Sequence, residues 1–364
     1  DRTKKNTSIS YLEIVLLFIY LVFFDMDFLR GKPVVRIAFG IMIVLIIHCG
    51  ICTAKRVPAI FVFGDSLVEV GNNNYIASLS KCNYVPFGID FGGRPTGRFT
   101  NGRTIVDIIG KFLSLLLLLF IFYRKKFNMD EQIDYFANTR QAIISSIGGR
   151  ATRRLLRTAL FSVTMGSNDF INNYLTPVLS IPEQRTVPPE KFVGFLIARF
   201  RSQLTRLYKL GARKIVVSNV GPIGCIPSQR DLNPSAGENC VALPNHLARL
   251  FNGRLKNLVR ELRKNLKRSK FLYADVYRIV DDIIQNYESY GFQNSNTSCC
   301  KIAGQFGGLI PCGPPSNICP DRSKYVFWDP YHPTDAANII IAMRLMHGGS
   351  DDISPMNIRQ LVQS

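Results

Sequence analysis

FVFGDSLVEVGNNN, residues 61–74, is the stretch on which the rest of the chain is read. It follows Pro58-Ala59-Ile60, so an apolar run of strand length ends in Gly64-Asp65-Ser66. A glycine and then a serine at the end of a buried strand put a hydroxyl at the carboxyl edge of a parallel sheet. That edge is where open α/β folds hold their ligands. A serine there acts as a nucleophile only if the chain also supplies a base, an acid to orient it and donors for an oxyanion.

Outward from this stretch, apolar runs of strand length recur at residues 158–165 (TALFSVTM), 214–220 (KIVVSNV) and 271–276, with a short extended piece at 325–328. Helical patterns lie between them at 104–112, 130–147, 192–207, 241–266, 281–290 and 335–346, with Gly211 as a C-cap and Thr334 as an N-cap. Residues 83–103, rich in Gly, Pro and Asn, read as a long surface loop, and 304–321 as a second loop. Strands alternating with helices predict a mainly parallel sheet covered on both faces. With no repeat and no linker of domain scale, residues 55–364 read as one domain.

The chain has 364 residues and a formal charge of +19, with basic clusters at 150–157 and 254–270. Neither zinc-finger spacing nor aromatic residues interleaved with basic ones accompany the charge, so solvated helix faces are preferred over nucleic-acid binding. Attraction to an acidic polysaccharide or membrane surface stays open.

Residues 1–54 read as a leader rather than as fold. The apolar run at 37–52 has basic residues before it and Thr53-Ala54 after it, the secretory pattern, with cleavage expected near Ala54. Residues before about Lys32 read as an extension upstream of the true start. A retained anchor ranks second, because no run reaches the ~18 uninterrupted apolar residues of a span. The expected location is therefore extracellular. Cys82, Cys225, Cys240, Cys299, Cys300, Cys312 and Cys319 would remain after cleavage. Secretion and spacing predict a Cys225–Cys240 disulfide, pairs among the last four, and Cys82 either free or paired with one of those. Zinc is disfavoured because Cys299 and Cys300 are adjacent and no histidine is close. Asn296-Thr297-Ser298 is a glycosylation sequon.

Four histidines are candidates for the base: His48 lies in the leader, His246 in a helical run and His347 at the end of the last helix. His332 follows Asp329-Pro330-Tyr331 in the loop that opens that helix. An acid three residues before a histidine can hold the imidazole tautomer while the other ring nitrogen faces a serine. The same spacing also occurs in ordinary surface turns. Asn168, after the second strand, can donate its amide to an oxyanion, although asparagine is common in turns generally.

Taken together these segments resemble the plant-type GDSL-motif esterase/lipase family of the SGNH hydrolases. The resemblance rests on FGDSLVEVGNNN (63–74), FGIDFGGRPTGRFTNGRTIVDII (87–109), SVTMGSNDFINNYL (162–175), GPIGCIPSQ (221–229) and YVFWDPYHPTDAAN (325–338), in the family's order. It implies a flavodoxin-like three-layer αβα sandwich that hydrolyses carboxylic esters, acyl or lipid. By the same resemblance Ser66 is the nucleophile, His332 the base and Asp329 its orienting acid. The Ser66 N–H and the Asn168 side chain are oxyanion donors, and neither metal nor cofactor is implied. The G-x-S-x-G elbow of α/β-hydrolases is absent, in keeping with this family.

One block of the family pattern has no counterpart. Between the first helix and Met129 only residues 111–128 are present, including LLLLLFIFYRKKF (115–127), which resembles nothing in the family. The absent block carries the second strand and a glycine whose N–H is the third oxyanion donor. A lost exon replaced by translated non-coding sequence, or a decayed copy, accounts for this. The expectation is a sheet with its second strand missing or substituted, and an impaired esterase. The competing readings are an inactive relative kept as a binding or structural protein, and a defective gene model. A nucleotide-binding protein is disfavoured, since no G-x-G-x-x-G or P-loop follows a strand.

Overall fold

A computed structural model of the chain describes residues 57–75, 80–113, 128–176 and 186–364. The expected leader at 1–54 and the tract at 115–127 lie outside the described residues.

Strand β1 is Ile60–Gly64, followed by helices α1 (Ile105–Phe112), α2 (Met129–Ile147) and α3 (Gly149–Thr158). Then come β2 (Leu160–Thr164), α4 (Pro189–Leu210), β3 (Lys214–Ser218), the short α5 (Pro227–Leu232), α6 (Ala242–Asn265) and β4 (Lys270–Ala274). Helix α7 (Val276–Gln285) leads into β5 (Asn294–Ser298), β6 (Cys300–Lys301), β7 (Asn317–Ile318) and β8 (Tyr325–Phe327). The chain ends in α8 (Asp335–His347), β9 (Ile353–Ser354) and α9 (Ile358–Gln363).

The central sheet has the order β1-β2-β3-β4-β9. Strands β1 to β4 run parallel, with Gly64 opposite Thr164 and Thr164 opposite Ser218, and β9 adds an antiparallel edge. Alternation along the strands sends side chains to two apolar layers. Phe61, Phe63, Phe161, Val163, Ile215 and Val217 face α2, α4 and α6. Ile60, Leu160, Val216 and Leu272 face the layer formed with α1, α7, α8 and α9. This is the three-layer sandwich with a mainly parallel sheet. Among the described residues β1 has β2 as its strand neighbour and none on its other side.

The capping reads hold. Gly211 closes α4 at φ 119°, a left-handed conformation that glycine adopts without steric cost. The Thr334 hydroxyl accepts from Ala337 N–H at the start of α8. Several features differ from the sequence reading. Helix α3 was not expected, and neither were β9 and α9. Residues 83–103 are not a simple surface loop, because Phe87, Arg98, Thr100 and Asn101 are buried. Arg98 makes a two-point ion pair with Asp107, and Arg103 another with Asp335, so the segment is bolted to the first turns of α1 and α8. Polar composition suggested exposure, but here the polar groups are satisfied internally.

Disulfides join Cys225 to Cys240, Cys299 to Cys319 and Cys300 to Cys312. Cys82 is a free thiol, buried in a small cluster with Phe87, Trp328, Cys299, Cys300 and Cys312. Burial pushes its pKa far above the usual thiol range, so it stays protonated.

Candidate active site

The site is built where β1 and β2 end side by side. Gly64 is the last residue of β1. A Cβ there would come within 2.8 Å of the Thr164 carbonyl oxygen, so a larger residue would push the two strand ends apart. Asp65 then turns the chain, and its Oδ1 accepts from Leu67 N–H at 3.1 Å, capping the 3₁₀ turn Ser66–Val68. That turn lifts Ser66 off the sheet edge. The next turn is held by Glu69, whose Oε1 accepts from the backbone N–H groups of Val70, Gly71 and Asn72. Burial raises the Glu69 carboxyl, and these three donors oppose the shift.

His332 arrives from the opposite end of the sequence. Its Nε2 is 2.8 Å from Ser66 Oγ. Its Nδ1 is 2.8 Å from both carboxylate oxygens of Asp329. The carboxylate also accepts from the backbone N–H groups of Tyr331 and His332, each at 2.8 Å. The turn is closed by Trp328 N–H donating to His332 O, and it is tied to α5 by Ser228 N–H donating to Pro330 O. Asp329 and His332 are both buried, and the Phe99 ring lies 4.9 Å from the imidazole. The buried loop at 83–103 therefore walls the histidine.

Asn168 follows β2 across a turn at Gly166, where φ is 126°. Its Oδ1 accepts from Asn172 Nδ2 at 3.0 Å, which points the carbonyl end of the amide at the short π-helical segment Asp169–Tyr174. Ser66, Asn168, Asp329 and His332 all line one cavity of about 1060 Å³, with Phe99, Ile105 and Ile226 among its apolar walls. The sequence-predicted residues are thus brought together. Among the described residues no group of three or more His, Cys, Asp and Glu side chains is arranged to hold a metal ion.

Two features escaped the sequence reading. The first is Gln132 in the first turns of α2. Its Oε1 accepts from Gly64 N–H and its Nε2 donates to Gly64 O, both at 2.9 Å. The side-chain amide takes the place of a neighbouring strand at the last residue of β1. Its only signal in sequence is the position of a glutamine just inside a helix N-terminus. The second is Asp65, half-buried as a residue but with its Oδ2 sealed from solvent and lacking a partner. Burial raises its pKa to about 6, the charge of Asp169 adds to the shift, and the Leu67 N–H and His332 oppose it.

The model of the GDSL-like lipase/acylhydrolase family matches residues 60–345. The chain belongs to that family. It is 58% identical to the GDSL esterase/lipase At4g16230 of Arabidopsis thaliana over 342 positions, covering 85% of this chain and 93% of the relative. It is 45% identical to the GDSL esterase/lipase At2g23540 of the same plant, covering 83% and 87%. A third, At3g50400, is 44% identical, covering 84% and 91%. The GDSL family match accounts for the three-layer fold and gives the enzyme class, a carboxylic ester hydrolase. Among the described residues of this GDSL chain no helix is long and apolar enough to cross a membrane.

Proposed function

We propose that the protein is a secreted serine esterase acting on an acyl or lipid ester through Ser66, His332 and Asp329, and that the chain as it stands turns over weakly. One observation carries the reading: the Ser66 Oγ–His332 Nε2 contact of 2.8 Å, continued from Nδ1 to the Asp329 carboxylate. In this role His332 takes the Ser66 proton as Oγ attacks the ester carbonyl carbon. The carbonyl oxygen gains the negative charge, facing the Ser66 N–H and the Asn168 side chain. His332 then gives its proton to the departing alkoxide, leaving an acyl-serine. Water, deprotonated by the same nitrogen, attacks the acyl carbon, and the acid leaves as Ser66 recovers its proton. Asp329 holds the imidazole with Nδ1 protonated, so that Nε2 is free to accept. The buried setting of both residues strengthens this pairing.

The weak-turnover part rests on residues 111–128. The absent glycine would leave the oxyanion with two donors rather than three, and one such donor is worth on the order of 10²–10³ in rate. Alignment lengths support a lost block. The match to At4g16230 runs over 342 positions yet takes in only 85% of the 364 residues, so it includes positions for which this chain has no residue. Secretion is supported by the three disulfides, a feature of oxidising compartments.

A fluorophosphonate probe tests the serine assignment. It should modify Ser66, identified by peptide mapping, and the label should vanish in Ser66→Ala and fall sharply in His332→Ala. Labelling that persists in Ser66→Ala would refute the assignment, and an unlabelled folded parent would favour an inactive relative.

A further inference from the structure

The edge of the sheet opposite the site is strongly basic. In a parallel sheet the helices that precede β2, β3 and β4 all finish at the amino edge of the strands. Helices α3, α4 and α6 do so here, and each ends in basic residues. Arg153, Arg154 and Arg157 of α3, Lys209 of α4, and Lys264 and Lys267 at the end of α6 are solvent-facing, most of them well exposed.

Contacts between neighbouring elements make these three ends one surface. Leu156 of α3 packs against Gly211, the cap of α4. The Tyr208 hydroxyl of α4 donates to the Lys267 carbonyl at 3.1 Å. Lys270 N–H donates to Arg213 O at 2.7 Å, and the Arg213 guanidinium lies 4.1 Å over the Tyr208 ring.

A basic residue in the last turn of a helix is favoured by the helix dipole, and that would explain one such residue per helix. It does not explain α3. That helix also carries Arg150 in its first turn, where positive charge opposes the dipole, and it has no acidic residue. Elsewhere on the same layer three arginines are matched, Arg199 and Arg206 with Asp130 and Arg201 with Glu261, whereas Arg249 and Arg254 bond a tyrosine hydroxyl and a backbone carbonyl instead. The six residues of the pole have no carboxylate partner among the ion pairs of the described residues. Crowded like charges cost stability, and a bound polyanion would offset that cost.

We propose that this pole binds an acidic polysaccharide, a linear polymer bearing carboxylates, and holds the catalytic cavity facing away from it. The residues favour this occupant over the alternatives. None of the exposed large apolar side chains lies in residues 149–158, 208–213 or 260–270. A membrane-binding face would carry apolar groups for insertion, and a single-strand nucleic-acid face would carry exposed aromatics for base stacking. The Tyr208 ring is already covered by Arg213. A five-residue strand such as β2 separates the pole from the site by roughly 17 Å, so neutralising it should leave chemistry alone.

The test uses the full chain and polygalacturonate as probe. Parent protein should be retained by the immobilised polymer at low salt and released as salt rises. A variant with Arg153→Gln, Arg154→Gln, Lys264→Gln and Lys267→Gln should bind weaker by on the order of tenfold or more. A control with Arg94→Gln, Lys191→Gln, Lys301→Gln and Lys324→Gln changes the net charge equally and should keep parental retention. Both variants should show parental soluble-ester turnover and a thermal stability no lower than the parent's, the pole variant gaining whatever the crowded charges cost. Equal losses in the two variants would show that net charge alone is responsible and would overturn the proposal. So would retention unchanged in the first variant. Tighter binding of the parent to duplex DNA or to phosphatidylserine vesicles than to polygalacturonate, at equal ionic strength, would also overturn it by assigning the pole to another partner.

Discussion

One residue before Ser66, half-buried Asp65 has one carboxylate oxygen sealed from solvent without a partner, and its pKa is raised to about 6. An acid whose folded value lies above its unfolded one binds its proton more tightly in the native state. Stability from this group is therefore fully present below the ordinary carboxylate range near 3.8 and is lost as pH rises through about 6. The shift corresponds to a loss of up to about 3 kcal/mol across that window. Asp65→Asn keeps an Oδ1 to accept from Leu67 N–H but carries no charge. Urea unfolding at pH 4 and pH 7 should show the variant gaining on the parent as pH rises, by up to about that amount. A parent–variant difference that stays constant between the two pH values would show that Asp65 does not titrate in this window. At this scale the candidate triad was legible only through the family resemblance, whose motifs are each local. Asp329 and His332 share one turn, and Ser66 lies in one motif. Asp65 was not legible as a titrating group, because its shift comes first from burial, which only the folded packing creates, and then from the charges of His332 and Asp169, distant in the chain.

Elements repeat the contrast. Helix ends were readable from single residues such as Gly211 and Thr334, because capping chemistry is local. Helix α3 was not readable: its buried residues, Thr152 and Leu156, are too few to show a period among arginines. Strand β9 has two residues, and only its pairing with Tyr273 and Ala274 defines it. The buried segment at 83–103 was misread because its burial depends on ion pairs to Asp107 and Asp335. Gln132 is the clearest case, since a helix side chain acts as a strand partner for β1. Gln132→Ala would leave the Gly64 N–H and C=O without this partner at the turn that carries Ser66. Loss of paired, part-buried backbone groups costs roughly 1–3 kcal/mol. We expect a lower melting temperature, and also a lower kcat with KM little changed, because the serine is less firmly placed. Gln132→Glu, which retains an acceptor for the Gly64 N–H but lacks the donor, should fall between the two. A Gln132→Ala protein with parental kcat would show that the amide serves stability alone.

For the whole molecule, the deciding question is what residues 111–128 do to a sheet in which β1 has a described neighbour on one side only. Sheet edges with unpaired backbone invite association with other chains, and a lost strand deprives the flanking helices of a surface to cover. The tract LLLLLFIF at 115–122 is apolar enough to be drawn toward such an edge, yet it has no alternation to fix a register. An apolar run held in no defined register is an aggregation hazard. The expected outcome is a chain that folds with low yield, although His332 stands within hydrogen-bonding distance of both Ser66 and Asp329. Replacing residues 111–128 with the corresponding block of the GDSL esterase/lipase At4g16230, in a chain beginning near Lys55, should raise both soluble yield and ester turnover. The two gains are separable. Yield reports the restored strand, and turnover per labelled serine reports the restored donor, expected at about 10²–10³-fold. A rise in yield with no change in turnover per labelled serine would mean that two donors suffice for the oxyanion. No rise in either would mean that the segment is dispensable and that β1 is stable with the partner supplied by Gln132.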